Sequence, residues 1–194
     1  MGTPTPPPPV KLIVALLSAY PELLAVASKE LAEHYGESDL ESEVFPWNVT
    51  HYYRDEMGEG LLRKFLSFEQ LVSPEDLPAI KLQTNTIETR FSHPTLPNNP
   101  SKLTTQRRVN LDPGYLDVNK LVLASTKGAA HRLYLSQGIY AEVTLLFHHG
   151  AFHPFEYTYA DYRWPETLAF LLQVRRRYLE QLRIRQAPFP GNHC

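Results

Sequence analysis

Lys127, His131 and Arg132 fall close together in the small-residue stretch Lys-Gly-Ala-Ala-His-Arg, and upstream of it Asn110 and Asp112 share the parity of one strand. Two cations beside a glycine suit an anion, because lysine and arginine supply charge and Gly128 lets backbone amides approach a phosphate or carboxylate. Glu142 stands mid-strand between Ala141 and Val143, where a charge needs a partner if it is covered. The expected ligand site therefore binds through Asn110, Asp112, Lys127 and Arg132, takes Tyr53 or Tyr115 as a wall, and offers His131 and Glu142 as acid–base candidates. The plain alternative is that the same residues only knit strands together. Asp112-Pro113-Gly114-Tyr115 has the composition of a type II turn, and Arg132 with Glu142 reads as an ordinary cross-strand ion pair.

Other chemistries have little to build on. No G-x-x-x-x-G-K-[ST] or G-x-G-x-x-G loop occurs, and no G-x-S-x-G elbow. The single cysteine, Cys194, pairs with nothing in the chain and sits in a tail. His148, His149 and His153 resemble ligands only on paper: adjacent strand residues face opposite sides, so they are expected to be solvated, and no metal site is predicted. The cofactor is unknown. A net charge of -2 gives no general attraction to nucleic acid, and "RRRYLEQLRIR" (175–185) is the one concentrated basic run. "KLIVALLSAYPELLAVAS" imitates a leader, but Tyr20-Pro21-Glu22 interrupts it and prolines precede it, so strand then helix is expected, in a cytoplasmic protein without a membrane span.

These side chains need a scaffold. Residues 1–9 read as a proline-rich disordered tail, 10–186 as a single domain and 187–194 as a second tail. "VKLIVALLS" (10–18) is an unbroken apolar run, as for a strand covered on both faces. Pro21 opens a helix with Leu24, Ala27, Leu31 and Tyr35 on one stripe, ended by Gly36. "SEVFPWNV" (42–49) is an irregular or edge strand, "LLRKFLSF" (61–68) a strand. Ser73-Pro74-Glu75-Asp76 starts a second helix striped by Leu77, Ile80, Thr84, Ile87 and Phe91. A loop over 92–101 leads to a strand at 106–111 that the Asp-Pro-Gly turn ends. "KLVLAST" (120–126) leans to a strand over a short helix, and a last helix runs from Pro165 to about Gln186. "THYYRDEMGEG" (50–60) reads as a lid-like loop or packed corner. The whole is α+β: a ferredoxin-like β-α-β-β-α-β order extended by an antiparallel meander and a C-terminal helix.

Residues 131–147 form a hairpin whose loop length decides which faces match. A two-residue loop, Gln137-Gly138, sets Leu133 against Glu142. A three-residue loop, Ser136 to Gly138, sets Leu133 against Ala141, Tyr134 against Tyr140 and Arg132 against Glu142. The second keeps the apolar face continuous and is the expectation. The other face, carrying Arg132, Tyr134, Tyr140, Glu142 and Thr144, is then either a half-exposed sheet surface or the floor of a polar cleft.

The segments "RRVNLDPGYL", "KLVLASTKGAAHRLYL", "GIYAEVTLLF" and "YTYADYR", with "FPWNVTHYYRDEMG" and "KFLSFEQLV", resemble the prokaryotic family of domains of unknown function 4416, whose signature Asp112-Pro113-Gly114-Tyr115 matches. The resemblance spans nearly all of residues 10–185 and implies no activity. The expected function is thus binding of, or catalysis on, an anionic small molecule such as a nucleotide or phosphorylated metabolite. The alternative is a non-catalytic interaction module with unknown protein partners. One hollow holding most of the six polar residues Asn110, Asp112, Lys127, His131, Arg132 and Glu142 favours the first; dispersal favours the second.

Overall fold

The structure, a computed structural model, describes residues 2–49, 57–95 and 104–186. Strand β1 (Val10–Ser18) is buried at all nine positions. Its even residues Leu12, Val14 and Leu16 pack with helix α1 (Pro21–Tyr35) and helix α2 (Leu77–Arg90). Its odd residues Ile13 and Ala15 pack with Leu171, Val174 and Tyr178 of helix α3 (Pro165–Gln186). Cover on both faces is what the unbroken apolar run requires.

Beside β1 lie β4 (Leu62–Val72) on one flank and β7 (Asn110–Leu116) on the other, both antiparallel to it. Strand β2 (Ser38–Glu41) completes the far side of β4, with the two-residue β3 (Phe45–Pro46) next along the same edge. The order β7-β1-β4-β2 is the split β-α-β-β-α-β arrangement, here α+β with helices on both faces. Its second strand is Ser38–Glu41, earlier than the 42–49 expected, because the pairing partner on β4 is Leu66 to Phe68. The meander continues through β8 (Lys120–Ser125), β10 (Ile139–His148) and β11 (Ala151–Pro154). Residues 120–125 are therefore strand. His93–Thr95 (β5), within the 92–101 expected as loop, pairs with Thr104–Gln106 (β6) as a separate ribbon.

Asp112-Pro113-Gly114 is not a turn. All three lie inside β7, opposite Ala15, Val14 and Ile13 of β1. Gly114 is there for proximity, not for φ: a Cβ on it would stand 2.4 Å from the carbonyl oxygen of Val122 and 2.6 Å from Leu123 Cδ2. Turn composition yields to a backbone that must approach its neighbour.

The hairpin divides the expectation. Its loop is the two-residue Gln137-Gly138, both at positive φ (53° and 78°), with Ser136 opposite Ile139. Yet Tyr134 faces Tyr140 and Leu133 faces Ala141 as the three-residue loop would have it, because an irregularity at Leu135 absorbs one residue of β9 (Leu133–Ser136). The apolar face of β9 is not buried, Leu133 being 73% exposed. Gln137 pays for a left-handed backbone that asparagine adopts more readily. Gln137→Asn is expected to raise unfolding free energy by about 0.5 kcal/mol, read as a higher urea midpoint at unchanged slope.

Candidate functional site

The β7–β8 ladder runs only from Leu116 opposite Leu121 to Gly114 opposite Leu123. Strand β7 continues along β1 as far as Asn110, whereas β8 continues along β10 as far as Ser125. The two strands therefore part beyond Gly114 and leave a slot between Asp112 and Ser125. A cavity opens on each side of it. The first, about 320 Å³, lies on the α3 face among Trp47, Arg63, Asp161 and Tyr162. The second, about 380 Å³, lies against α2 among Lys81, Asn85, Glu88 and Arg107. Asp112, Ala124, Ser125, Lys127 and Tyr159 line both.

The first cavity is built from two buried carboxylates and the arginines that hold them. Glu142, 2% exposed, accepts from Arg132 Nε (2.9 Å) and His131 Nε2 (3.0 Å) on one oxygen and from Thr144 Oγ1 (3.3 Å) on the other. It reaches this face on β10 opposite Leu123, and a bulge at Thr144 returns Leu145 to the same core. Arg132 extends the clasp: Nη1 donates to Ser125 Oγ and to the Lys127 carbonyl, both at 2.9 Å, and Nη2 donates to Tyr159 Oη at 3.0 Å. Burial works against its charge, but the bonds to Glu142 and Tyr159 prevail and hold its pKa above the ordinary arginine value. Across the cavity, Arg63 Nη2 pairs with Asp161 (2.8 Å) and its Nη1 lies 3.5 Å from Asp112. Trp47 Nε1 donates to the same Asp161 oxygen at 3.2 Å.

Tyr162 sits at the floor, its ring edge-on to Phe65 at 5.5 Å. The residue is 2% exposed, and its hydroxyl has no hydrogen-bond partner among the described residues. Burial pushes the phenol well above its usual pKa, with Arg63, Asp112, Asp161 and Glu142 as the charges that act on it. It remains a neutral donor on a residue that lines the hollow.

On the α2 side, Lys81 is 6% exposed and donates to the Leu111 carbonyl at 2.8 Å, with Asp112 Oδ1 at 3.8 Å. Glu88 accepts from the Leu111 amide (2.7 Å), and burial lifts its pKa above the usual glutamate range. Arg107 Nη1 lies 2.8 Å from Asn110 Oδ1 and 3.5 Å from Glu88.

The six polar residues of interest thus converge. Asp112, Lys127, Arg132 and Glu142 line the first cavity, and Asn110 lines the second, its amide donating to Asp112 at 2.6 Å. His131 stands behind Glu142 with its ring stacked on Tyr157 at 4.1 Å. Both His131 and Arg132 precede β9, which is what lets neighbours in sequence reach one carboxylate. Tyr115 faces the other way, packed near Leu77, Val122 and Ile139. The Lys127 amide is taken by Ser125 Oγ at 3.1 Å and does not point to an anion. Tyr53 and the segment 187–194 lie outside the described residues. Among the described residues no three His, Cys, Asp or Glu side chains converge as metal ligands; His148 and His153 stack at 3.7 Å. No helix among the described residues is long and apolar enough to cross a membrane.

Sequence reasoning missed Arg63, Asp161 and Tyr162. For Arg63 a signal existed: it shares strand parity with Phe65 and Ser67, so it was bound for a covered face and needed a carboxylate.

Two of the comparisons are negative: no curated protein and no solved structure matches the chain. A family model described as a domain of unknown function (DUF4416) matches residues 8–178.

Proposed function

We propose, from the premise that this chain belongs to the DUF4416 family and that the family's description carries no activity, that the protein binds an anionic small molecule in the slot between β7 and β8, of the kind of a nucleotide or phosphorylated metabolite. The observation that carries this reading is the hydroxyl of Tyr162. A buried phenol without a partner is costly unless something supplies an acceptor, and Tyr162 is among the residues lining a cavity that also holds Asp112, Lys127, Arg132 and Glu142. Trp47, Tyr159 and Leu123 supply apolar wall, and the charged groups supply orientation, the usual mixture of a ligand pocket. In this reading Glu142 and His131 act on the ligand through Arg132, which they hold in place, and Asp112, with a side chain 30% exposed, is the carboxylate open to contact. Asn110 fixes the rotamer of Asp112.

A thermal-shift screen of nucleotides and phosphorylated metabolites tests it, run in parallel on Tyr162→Phe. That variant removes one oxygen that bonds nothing in the protein, so its own stability should match the parent within about 0.5 kcal/mol. Its affinity for any compound that stabilises the parent should fall about tenfold, the worth of one hydrogen bond in a desolvated site. A panel without a stabilising compound, or equal affinity in Tyr162→Phe, overturns the proposal and leaves the interaction module.

A further inference from the structure

We infer that the two cavities divide the ligand between them, a neutral head in the first and its anionic group in the second, with the molecule passing through the gap in the sheet at Asp112 and Ser125. The inference rests on the reading that the slot is the ligand site and adds which end goes where. Among the described residues, three cations line the first cavity with three carboxylates: Arg63, Lys127 and Arg132 with Asp112, Glu142 and Asp161. That side is balanced, and two of its carboxylates are already held by arginines at 2.8 and 2.9 Å. What it offers a newcomer is the open carboxylate of Asp112, the walls of Trp47 and Tyr159 and, on the lining residue Tyr162, a buried hydroxyl that bonds nothing among the described residues. Those suit an uncharged, flat group that accepts one hydrogen bond and donates another.

The second cavity is different. Among the described residues, Lys81, Arg107 and Lys127 line it with Glu88 and Asp112. Burial lifts the pKa of Glu88 above the usual glutamate range. The decisive group is Lys81. An ammonium carries three donors, and this one, 6% exposed, makes a single hydrogen bond among the described residues, to the Leu111 carbonyl, with its nearest carboxylate oxygen there at 3.8 Å. A buried cation with unfilled donors is expensive in an apolar setting and favourable beside an anion. Asn85 and Asn110 add amide groups on the same wall. The chemistry fits a phosphate or a carboxylate, and both cavities present spare donors, so the ligand brings acceptors at both ends.

The test uses inorganic phosphate as probe, titrated at constant ionic strength against the full chain and followed by calorimetry. Phosphate is expected to bind the parent and Tyr162→Phe within twofold of each other. Lys81→Met should weaken it at least tenfold, and Arg107→Gln at least threefold; should Lys81→Met fail to fold, Arg107→Gln decides. Acetate in the same titration tells a carboxylate site from a phosphate site, and either one binding in the Lys81-dependent manner supports the inference. Binding of neither anion, or binding that Tyr162→Phe weakens while the Lys81 and Arg107 variants do not, overturns it. A screen hit that needs Tyr162 alongside absent phosphate and acetate binding would sink the division and leave the slot reading intact. No hit at all sinks the slot reading first.

Discussion

Arg132→Ala is expected to lower the unfolding free energy by about 3–5 kcal/mol, the range for stripping one partner from a buried ion pair. The Arg132 side chain is 8% exposed and that of Glu142 2% exposed. Alanine would leave the carboxylate with His131 and Thr144 alone, and would release Ser125, the Lys127 carbonyl and Tyr159 together. The loss therefore spreads along the rim of the slot. Arg132→Lys separates charge from shape: a lysine can restore the ion pair but cannot span Glu142, Ser125 and Tyr159 at once, so it should recover part of the stability and little of any ligand affinity. Urea unfolding of the three proteins, with the slope checked for constancy, decides. A loss under about 1 kcal/mol for Arg132→Ala would mean that Glu142 is solvated and the clasp is a surface feature.

The second large effect is at Gly114. Alanine there meets a carbonyl oxygen and the Leu123 side chain at distances no Cβ tolerates, and the nearer obstacle is backbone. The β7–β8 contact must open or the strands must shift, at a cost of about 3 kcal/mol by the scale of overpacked cores. Because the ladder ends at this residue, a shift also changes the width of the slot. Gly114→Ala should thus lower the urea midpoint and loosen hydrogen-exchange protection of the Tyr115 and Val122 amides, the pair whose N–H groups point across the β7–β8 ladder. Protection unchanged at both positions would show that β8 is held by β10 alone.

These two sites mark what was legible in the chain. The flanking elements were: the apolar run of β1, the stripes of α1 and α2 and the extent of α3 follow from periodicity, and their order yields the split motif. The Asp-Pro-Gly segment was not, because local turn chemistry is a statement about an isolated stretch, and here β1 claims the whole stretch as a ladder. For the same reason the hairpin was half readable. Face matching is a long-range demand and held at Tyr134 with Tyr140, while the loop took the two-residue form and an irregularity reconciled them. Of the site, Asp112, Lys127, Arg132 and Glu142 came from residue type and parity. Asp161 and Tyr162 sit on a single 3₁₀ turn between β11 and α3, and no spacing rule connects such a turn to a strand at the opposite side of the sheet.

The outer side of β10 carries one more consequence. Strands β9 and β11 cover its two ends, four residues each, and between them the Val143 and Thr144 carbonyls accept from Tyr157 Oη (2.9 Å) and Thr158 Oγ1 (2.6 Å). At the far margin of the sheet β2 is again four residues long. Among the described residues, an incoming chain seeking to lengthen the sheet meets short templates and acceptors already engaged, features that resist strand-to-strand aggregation without relying on the near-neutral charge.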